Sequence, residues 1–488
     1  MAPPSVGRRN GQRQPLLAFI SLLATLECAP SGEVGGELVG SSPPSGGGAT
    51  AATLQVDIGV SQGPFHFSPG KQLGSVHMGD DPAVYGSATM SALRALGLRA
   101  ARVWVKFKDA HTNGVSSYYI YLDRWHGLAD VLLVNWRTGY DLVGTGGWTE
   151  STLAAAQRDL MAALKSRYPK IELIECENEP DHEVGDMTAY YLRYKLLYKV
   201  VNDVNALGLP GPPLKIRGPV TTSPAFVRPF LDQYVADGDP GKRLDFIAYH
   251  QYLLAAGCSD PSCNKDNPAM VRNERAAVSA HLSARGLPTT LPIYVTETGI
   301  FPGAAASSLG FEPDLHVQTA GMAAMHYYYL EQPLLHPFHW TIDHPTNDRK
   351  DMFLDTAAGT PRPYYNLQRL QGMLPAMRHS SSTSLSSRGI GLGSLAGGDT
   401  TTVAVMSWNY QWTGSTYYDA AVSIANLPSA FRTRNVRVER WYIPNHIHEG
   451  GLIQVENTVI GPRTGGSYTT SAHRYNANEV RLLRLTAL

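Results

Sequence analysis

Between Lys71 and Met377 eight short apolar runs alternate with amphipathic stretches, and few folds accept that pattern. The runs are "LGSVHM", "AARVWV", "DVLLVN", "IELIEC", "LKIRGP", "DFIAYH", "PIYVTE" and "LHPFHW", each of strand length. Stretches such as "TLAAAQRDLMAALKSRY" and "AYYLRYKLLYKVVNDVNALG" repeat apolar residues at three- and four-residue spacing, the helical signature. Eight strand-then-helix units in about 300 residues predict an α/β fold, a (β/α)8 TIM barrel rather than an open doubly wound sheet. No glycine-rich fingerprint follows the first strand, which argues against a dinucleotide-binding fold.

A serine-rich break, "HSSSTSLSSRG" (His379 to Gly389), ends the alternation. Beyond it "TTTVAVMSWNY", "DAAVSIANL", "VRVERWYI" and "NEVRLLRL" alternate at period two between turn residues, which predicts a C-terminal antiparallel β-sandwich. "ATLQVDIGV" (Ala52 to Val60) alternates in the same way and is expected to join it. The expected organisation is therefore an N-terminal strand segment over 52–70, a catalytic barrel over 71–380 and a sandwich over 388–488.

The N-terminus has the marks of an export signal. Arg8, Arg9 and Arg13 precede "PLLAFISLLATL", an apolar stretch too short for a bilayer, which needs about 20 residues. Residues 1–28 are expected to be a signal peptide and 29–51 a Gly/Ser/Pro linker, making the protein secreted. A lipid anchor on Cys28 is the less favoured alternative, because Glu27 fits that signal poorly. No later stretch reads as a membrane span. Cys258 and Cys263 bracket a turn and fit a local disulfide in an exported protein; the rival reading, a metal pair, lacks neighbouring histidines. Cys176, inside an apolar run, reads as an inert buried thiol.

Hydrophobic residues make up 43% of the chain and charged residues 17%, well away from disordered compositions. Formal net charge is zero, so there is no basic field for nucleic acid, and a neutral, polar partner fits better.

The chemistry is concentrated in "IELIECENEPD", Ile171 to Asp181, which carries Glu172, Glu175, Glu177 and Glu179. Buried carboxylates are costly unless paired or used. Period-two alternation puts Glu175, Glu177 and Glu179 on one face, with Arg102 and Arg217 on neighbouring strands as their cations. Barrel enzymes place their chemistry at the C-terminal strand ends. Glu179 stands at such an end in "ENEP", and Glu297 at another in "YVTETG". Two carboxylates about 5–5.5 Å apart make a retaining glycosidase.

Asn-Glu-Pro on the fourth strand with Glu on the seventh resembles clan A of the glycoside hydrolases. "ENEPD", "LKIRGP", "DFIAYHQY" and "RPYYNLQRL" are most similar to segments of family 39, the β-xylosidases and α-L-iduronidases. Glu177 stands where that family has tryptophan, and "TETG" looks more like family 17. The resemblance implies that Glu179 is the acid/base, its pKa raised by nearby Glu297, and that Glu297 is the nucleophile. It further implies that Asn178 binds the sugar 2-hydroxyl, that Arg102 lies close to the nucleophile, and that His250 and Tyr252 orient the nucleophile and line the sugar subsite. A buried structural histidine is the alternative for His250.

Trp340 at the end of the eighth strand is a candidate sugar platform, while His336 and His339 differ in parity and cannot converge on one metal. Trp136 and His77 are further candidate cleft residues. No metal and no cofactor are expected. The expected activity is a β-xylosidase-like retaining hydrolase acting on an oligo- or polysaccharide. The alternatives are an endo-acting β-glycanase or a non-catalytic carbohydrate-binding barrel. A uronate would need a spare cation: Lys106, Lys108, Arg349 and Lys350 are the candidates. Trp136, Tyr252, Gln251 and Trp340 favour a neutral sugar.

Overall fold

Eight parallel strands close on one another in the order in which the chain makes them. In the computed structural model they are β2 (Leu73–Ser75), β3 (Ala100–Lys106), β4 (Val131–Arg137), β5 (Ile171–Cys176), β6 (Lys215–Thr221), β7 (Phe246–Tyr252), β8 (Ile293–Gly299) and β9 (Leu335–His339), with β9 pairing back to β2. The structure describes residues 49–65, 73–75, 86–253, 267–300, 315–332, 334–340, 354–355, 360–412, 414–445 and 452–488. The expected signal peptide, the linker up to residue 48, Cys28, His77, the Cys258–Cys263 pair, Arg349 and Lys350 lie outside these residues.

The barrel strands are buried on both faces, which are largely apolar except for a charged inward layer, because both faces are covered. Outward residues such as Val103, Val134, Ile174, Ile216, Ile247 and Ile293 pack into the main core shared with the helices. Inward residues Ala100, Leu133, Leu173, Phe246 and Phe338 fill one end of the barrel. Arg102, Glu175 and Arg217 follow two residues further along β3, β5 and, from Lys215, β6, and all three are fully buried. An apolar plug thus lies beneath a charged layer.

The second layer system begins with β1 (Thr50–Pro64), before the barrel. It continues after it with β12 (Met377–Ser381), β13 (Ser384–Leu385), β14 (Gly391–Gly398), β15 (Thr402–Tyr410), β16 (Tyr418–Ala425), β17 (Val436–Ile443), β18 (Ile453–Ile460), β19 (Tyr468–Thr469), β20 (His473–Tyr475) and β21 (Val480–Ala487). A separate two-stranded pair, β10 (Leu354–Asp355) and β11 (Thr360–Pro361), lies between. The main path of the sheet runs β18-β17-β21-β15-β14-β12-β1-β16-β19. It is antiparallel except where β1 lies parallel to β16, Thr50 opposite Tyr418 through Asp57 opposite Ala425. This makes it a mixed sheet where the sequence predicted an antiparallel one. β1 arrives from the N-terminus rather than by a hairpin, so nothing forces it antiparallel.

Leu54, Val56 and Ile58 of β1 join Val405, Val422, Val438 and Leu485 in the sandwich interior. The opposite faces of β15 and β21 carry Met406, Trp408, Val480 and Leu482, which belong to the same core as the barrel helices.

Candidate active site

β5 stops at Cys176, and the next residues leave the strand sharply. Glu177 has φ of 59° and Glu179 φ of 40°, both in the left-handed region that non-glycine residues rarely adopt. Pro180, with its fixed φ, then opens the short helical turn Pro180–Glu183. Such backbone strain costs of order 1–3 kcal/mol per residue and gathers at functional sites. It also corrects the expected alternation: the three glutamates do not share a face. Glu175 points into the barrel. Glu177 turns to the flank, where Thr138 donates to it through its backbone N–H at 3.1 Å and Arg137 and Arg193 lie 3.3 and 3.7 Å away. Glu179 turns over the barrel mouth.

Glu175 organises the floor. Its carboxylate accepts from Arg102 Nε at 2.6 Å, Thr296 Oγ1 at 2.7 Å, Asn135 Nδ2 at 3.2 Å and Arg217 Nη2. Burial pushes this carboxyl up, but the two guanidiniums outweigh it and hold it at about 2. Burial lowers Arg217 to about 10, so it stays charged beneath its partner. Arg102 spends its other nitrogens upward: Nη1 donates to Glu297 at 2.8 Å and Nη2 to the Asn178 side-chain oxygen at 2.7 Å. One arginine thereby fixes a structural carboxylate, a cleft carboxylate and the amide beside Glu179.

Glu297 reaches the cleft through an irregularity in β8. Tyr294 lies among the inward plug residues and Thr296 bonds Glu175, so simple alternation would send Glu297 outward. The register slips instead: Tyr249 faces Val295, but the next pair is His250 with Glu297. A second slip against β9 follows between Val295 and Thr298. The extra residue lets Thr296 and Glu297 both face the barrel, as bulges beside active sites do. Tyr252 then donates to Glu297 Oε2 at 3.0 Å.

His250 stands between the two cleft carboxylates. Its Nδ1 is 2.8 Å from Glu179 Oε1 and 3.5 Å from Glu297 Oε2. One ligand atom from each of Glu179, His250 and Glu297 lies within 4.8 Å of the others. A cation could be held by such a trio, but these groups already engage one another, Arg102 and Tyr252. The arrangement is that of a carboxylate pair bridged by protein donors. Burial pushes the Glu179 carboxyl up, but the His250 hydrogen bond and charge, with Arg102 and His182, bring it below its ordinary value. The sequence expectation was a raised pKa through Glu297; the imidazole interposed between the carboxylates reverses it.

No family model matches this sequence, and no curated protein matches it. Solved structures do. A xyloglucanase of glycoside hydrolase family 44 from Paenibacillus polymyxa superposes with a TM-score of 0.58 at 11% identity, covering 90% of this chain and 100% of that one. A family 51 α-L-arabinofuranosidase from Bifidobacterium longum gives 0.55 at 12% identity, again covering 90% and 100%. The likeness is one of fold.

Other candidate residues divide between cleft and scaffold. Trp340 follows β9, its backbone N–H bonded to Thr298 at the end of β8, and it is partly exposed. Trp136 is a correction: it is buried on the outward face of β4, its indole donating to Gln157 of the helix Glu150–Arg167 at 2.8 Å. Its neighbour Asn135 takes the inward position. Gln251 is also outward, bonded to Glu274 and Tyr329 in the helical layer. His336 stacks on Tyr294 at 4.8 Å, whereas His339 packs on Tyr364, consistent with their opposite parity. Lys106 and Lys108 line a separate cavity of about 280 Å³ on the β3–β4 flank with Arg137, Arg193 and Glu177. The sequence reading missed Asn135, Thr296 and Trp104, whose ring lies 4.6 Å from the Arg102 guanidinium. A polar Asn135 inside "DVLLVNW" was the available signal for the first.

Proposed function

We propose that the chain is a retaining glycoside hydrolase of the clan A type, acting on a β-glycoside of an oligo- or polysaccharide. The observation that carries this is the approach of Glu179 and Glu297 to within 4.8 Å across the C-terminal mouth of a closed barrel. Retaining enzymes hold their carboxyl groups about 5–5.5 Å apart, whereas inverting ones need about 6.5–9.5 Å to admit water. Glu297 is the nucleophile: Arg102 and Tyr252 hold it by both oxygens, and it attacks the anomeric carbon while Glu179, which carries its proton in the substrate-bound cleft, gives it to the departing oxygen. Glu179 then takes a proton from water, which displaces Glu297 from the glycosyl ester. Asn178, turned by Arg102, offers its amide N–H beside Glu179, where a sugar hydroxyl would lie.

Within that class the favoured substrate is a neutral sugar, a β-xyloside first. Among the described residues the inward cations of the barrel are Arg102, all three of whose nitrogens are engaged by Glu175, Glu297 and Asn178, and Arg217, fully buried beneath Glu175, so neither presents a donor to a uronate at the cleavage point. The signal-like pattern of the first 28 residues, three arginines before a short apolar stretch, supports action outside the cell. A panel of chromogenic aryl glycosides tests both levels. Turnover of aryl β-xyloside above aryl α-L-iduronide is expected; preference for the iduronide reverses the sugar assignment, and no turnover of any member removes the hydrolase.

A further inference from the structure

The sandwich interior changes character along its length. Across β15, β21 and β17 the inward residues stand in rows: Val403, Leu485 and Val438, then Val405, Leu483 and Arg440, then Ser407, Arg481 and Tyr442. The first row is aliphatic and buried; in the third no aliphatic side chain remains. From the facing layer β20 contributes His473 and Tyr475, the Tyr475 hydroxyl lying 3.0 Å from Ser407 Oγ. Ser407, Arg440, Tyr442, His473, Tyr475 and Arg481, over a floor of Val422 and Leu483, line a cavity of about 320 Å³. That is within the range of small-molecule sites, roughly 300–1,000 Å³.

The charge of its walls has one sign. Among the described residues the lining holds two arginines and a histidine but no carboxylate. Glu456 and Glu479 stand outside the lining, 2.5 Å from Arg440 Nε and 2.9 Å from Arg481 Nη2. A guanidinium has five N–H donors, so a single carboxylate leaves others available. Arg481 is fixed with its guanidinium 4.7 Å over the Tyr475 ring and 5.4 Å over Tyr442. Arg440 Nη1 meets His473 Nε2. Burial, then the two arginine charges, hold His473 below its ordinary value, which favours the neutral imidazole that can accept from Arg440. Two positioned guanidiniums facing a half-apolar cavity match a planar carboxylate on a carbon ring.

We infer that this cavity binds an acidic saccharide unit, its carboxylate between Arg440 and Arg481 and its ring against Val422 and Leu483. The sandwich then anchors uronate decorations of a glycan whose neutral linkages the barrel cleaves. The choice of a saccharide rests on the hydrolase reading; capture of a carboxylate does not.

Calorimetric titration of the full-length protein with free D-glucuronate, D-xylose and acetate tests this, because none of the three has a glycosidic bond to cleave. Saturable binding of glucuronate is expected, at least tenfold tighter than xylose or acetate. Arg481→Gln should weaken it at least tenfold while leaving aryl-glycoside turnover unchanged, and Arg440→Gln carries the same expectation should the first variant fail to fold. Glu297→Ala should bind glucuronate as the wild type does, which separates this cavity from the barrel. Absence of saturation, equal binding of acetate, indifference to both arginine substitutions, or loss in Glu297→Ala overturns the assignment. Glucuronate binding without turnover of any aryl glycoside leaves the anion site standing and removes the hydrolase.

Discussion

Glu179 and Glu297 differ in the donors they hold, and the roles proposed for them can be told apart by experiment. Glu297→Ala opens space on the nucleophile's face, where azide can displace an activated aglycone once and convert a β-glycoside into the α-glycosyl azide. Glu179→Ala keeps the nucleophile, so azide meets the glycosyl ester from the opposite face and yields the β-azide. Turnover without azide should fall by roughly 10²–10⁴-fold for loss of the acid/base. NMR of the azide products reads the roles directly, and the reverse pattern exchanges them. His250 gives a second test. Burial raises the Glu179 pKa, while the His250 bond and charge are the largest influences against it. In His250→Ala that opposition is lost, so Glu179 keeps its proton to higher pH. The alkaline limb of kcat/KM, which reports the free enzyme's acid, should move upward as the maximal rate falls. An unmoved limb means that His250 does not set the Glu179 proton.

At the scale of elements, the strands that carry the cleft residues are braced from behind. Gln251 of β7 bonds Glu274 of the helix Met270–Ser283, Tyr329 of the helix Leu315–Glu331 donates to Gln251, and Tyr329 also lies 2.9 Å from Thr298 of β8. Burial pushes the Glu274 carboxyl from 4.5 up to about 7. Between those values the unfolded chain has lost this proton and the folded chain retains it, so stability falls as pH rises through the window. At about 1.4 kcal/mol per unit, the loss approaches roughly 3 kcal/mol above pH 7. Glu274→Gln keeps an acceptor for Gln251 without the titration. It should match wild type near pH 4 and exceed it in stability at pH 8, measured by urea unfolding; identical pH dependence in the two proteins refutes this account. The eight barrel strands were legible because buried parallel strands read as apolar runs between helical periods. That same two-sided burial hid which residues face the cleft. Trp136 and Asn135 sit in a strand apolar on both faces, so composition could not tell inward from outward. The β8 bulge breaks the parity that places Glu297, and the left-handed turns at Glu177 and Glu179 end the alternation that grouped the glutamates. Strand-end chemistry survives such misreadings, because a residue at a barrel mouth can turn inward whatever its parity.

Over the whole molecule, one apolar cluster joins the barrel helices to the outer faces of the sandwich strands, alongside a separate sandwich interior. Trp408 and Leu482 of the sandwich strands lie in one cluster with Tyr328 and Tyr329 of the barrel helix Leu315–Glu331. The strand that completes the sandwich, β1, comes from before the barrel and lies between β12 and β16. Removing it would divide the sheet and expose the edges of both neighbours. It would also remove Leu54, Val56 and Ile58 from the interior, each contributing about 1.5–3 kcal/mol by burial. The combined loss is comparable with the 5–15 kcal/mol that typically separates folded from unfolded chains. A chain starting at residue 49 should therefore unfold in one thermal transition and retain aryl-glycoside turnover. A chain starting at residue 66 keeps every barrel strand and both cleft glutamates, yet it should lose cooperative unfolding and turnover together. β15 and β21, which face the sandwich interior on one side and the cluster shared with the barrel helices on the other, transmit the damage to the barrel. A soluble 66–488 fragment with undiminished kcat/KM would show that the barrel stands without β1.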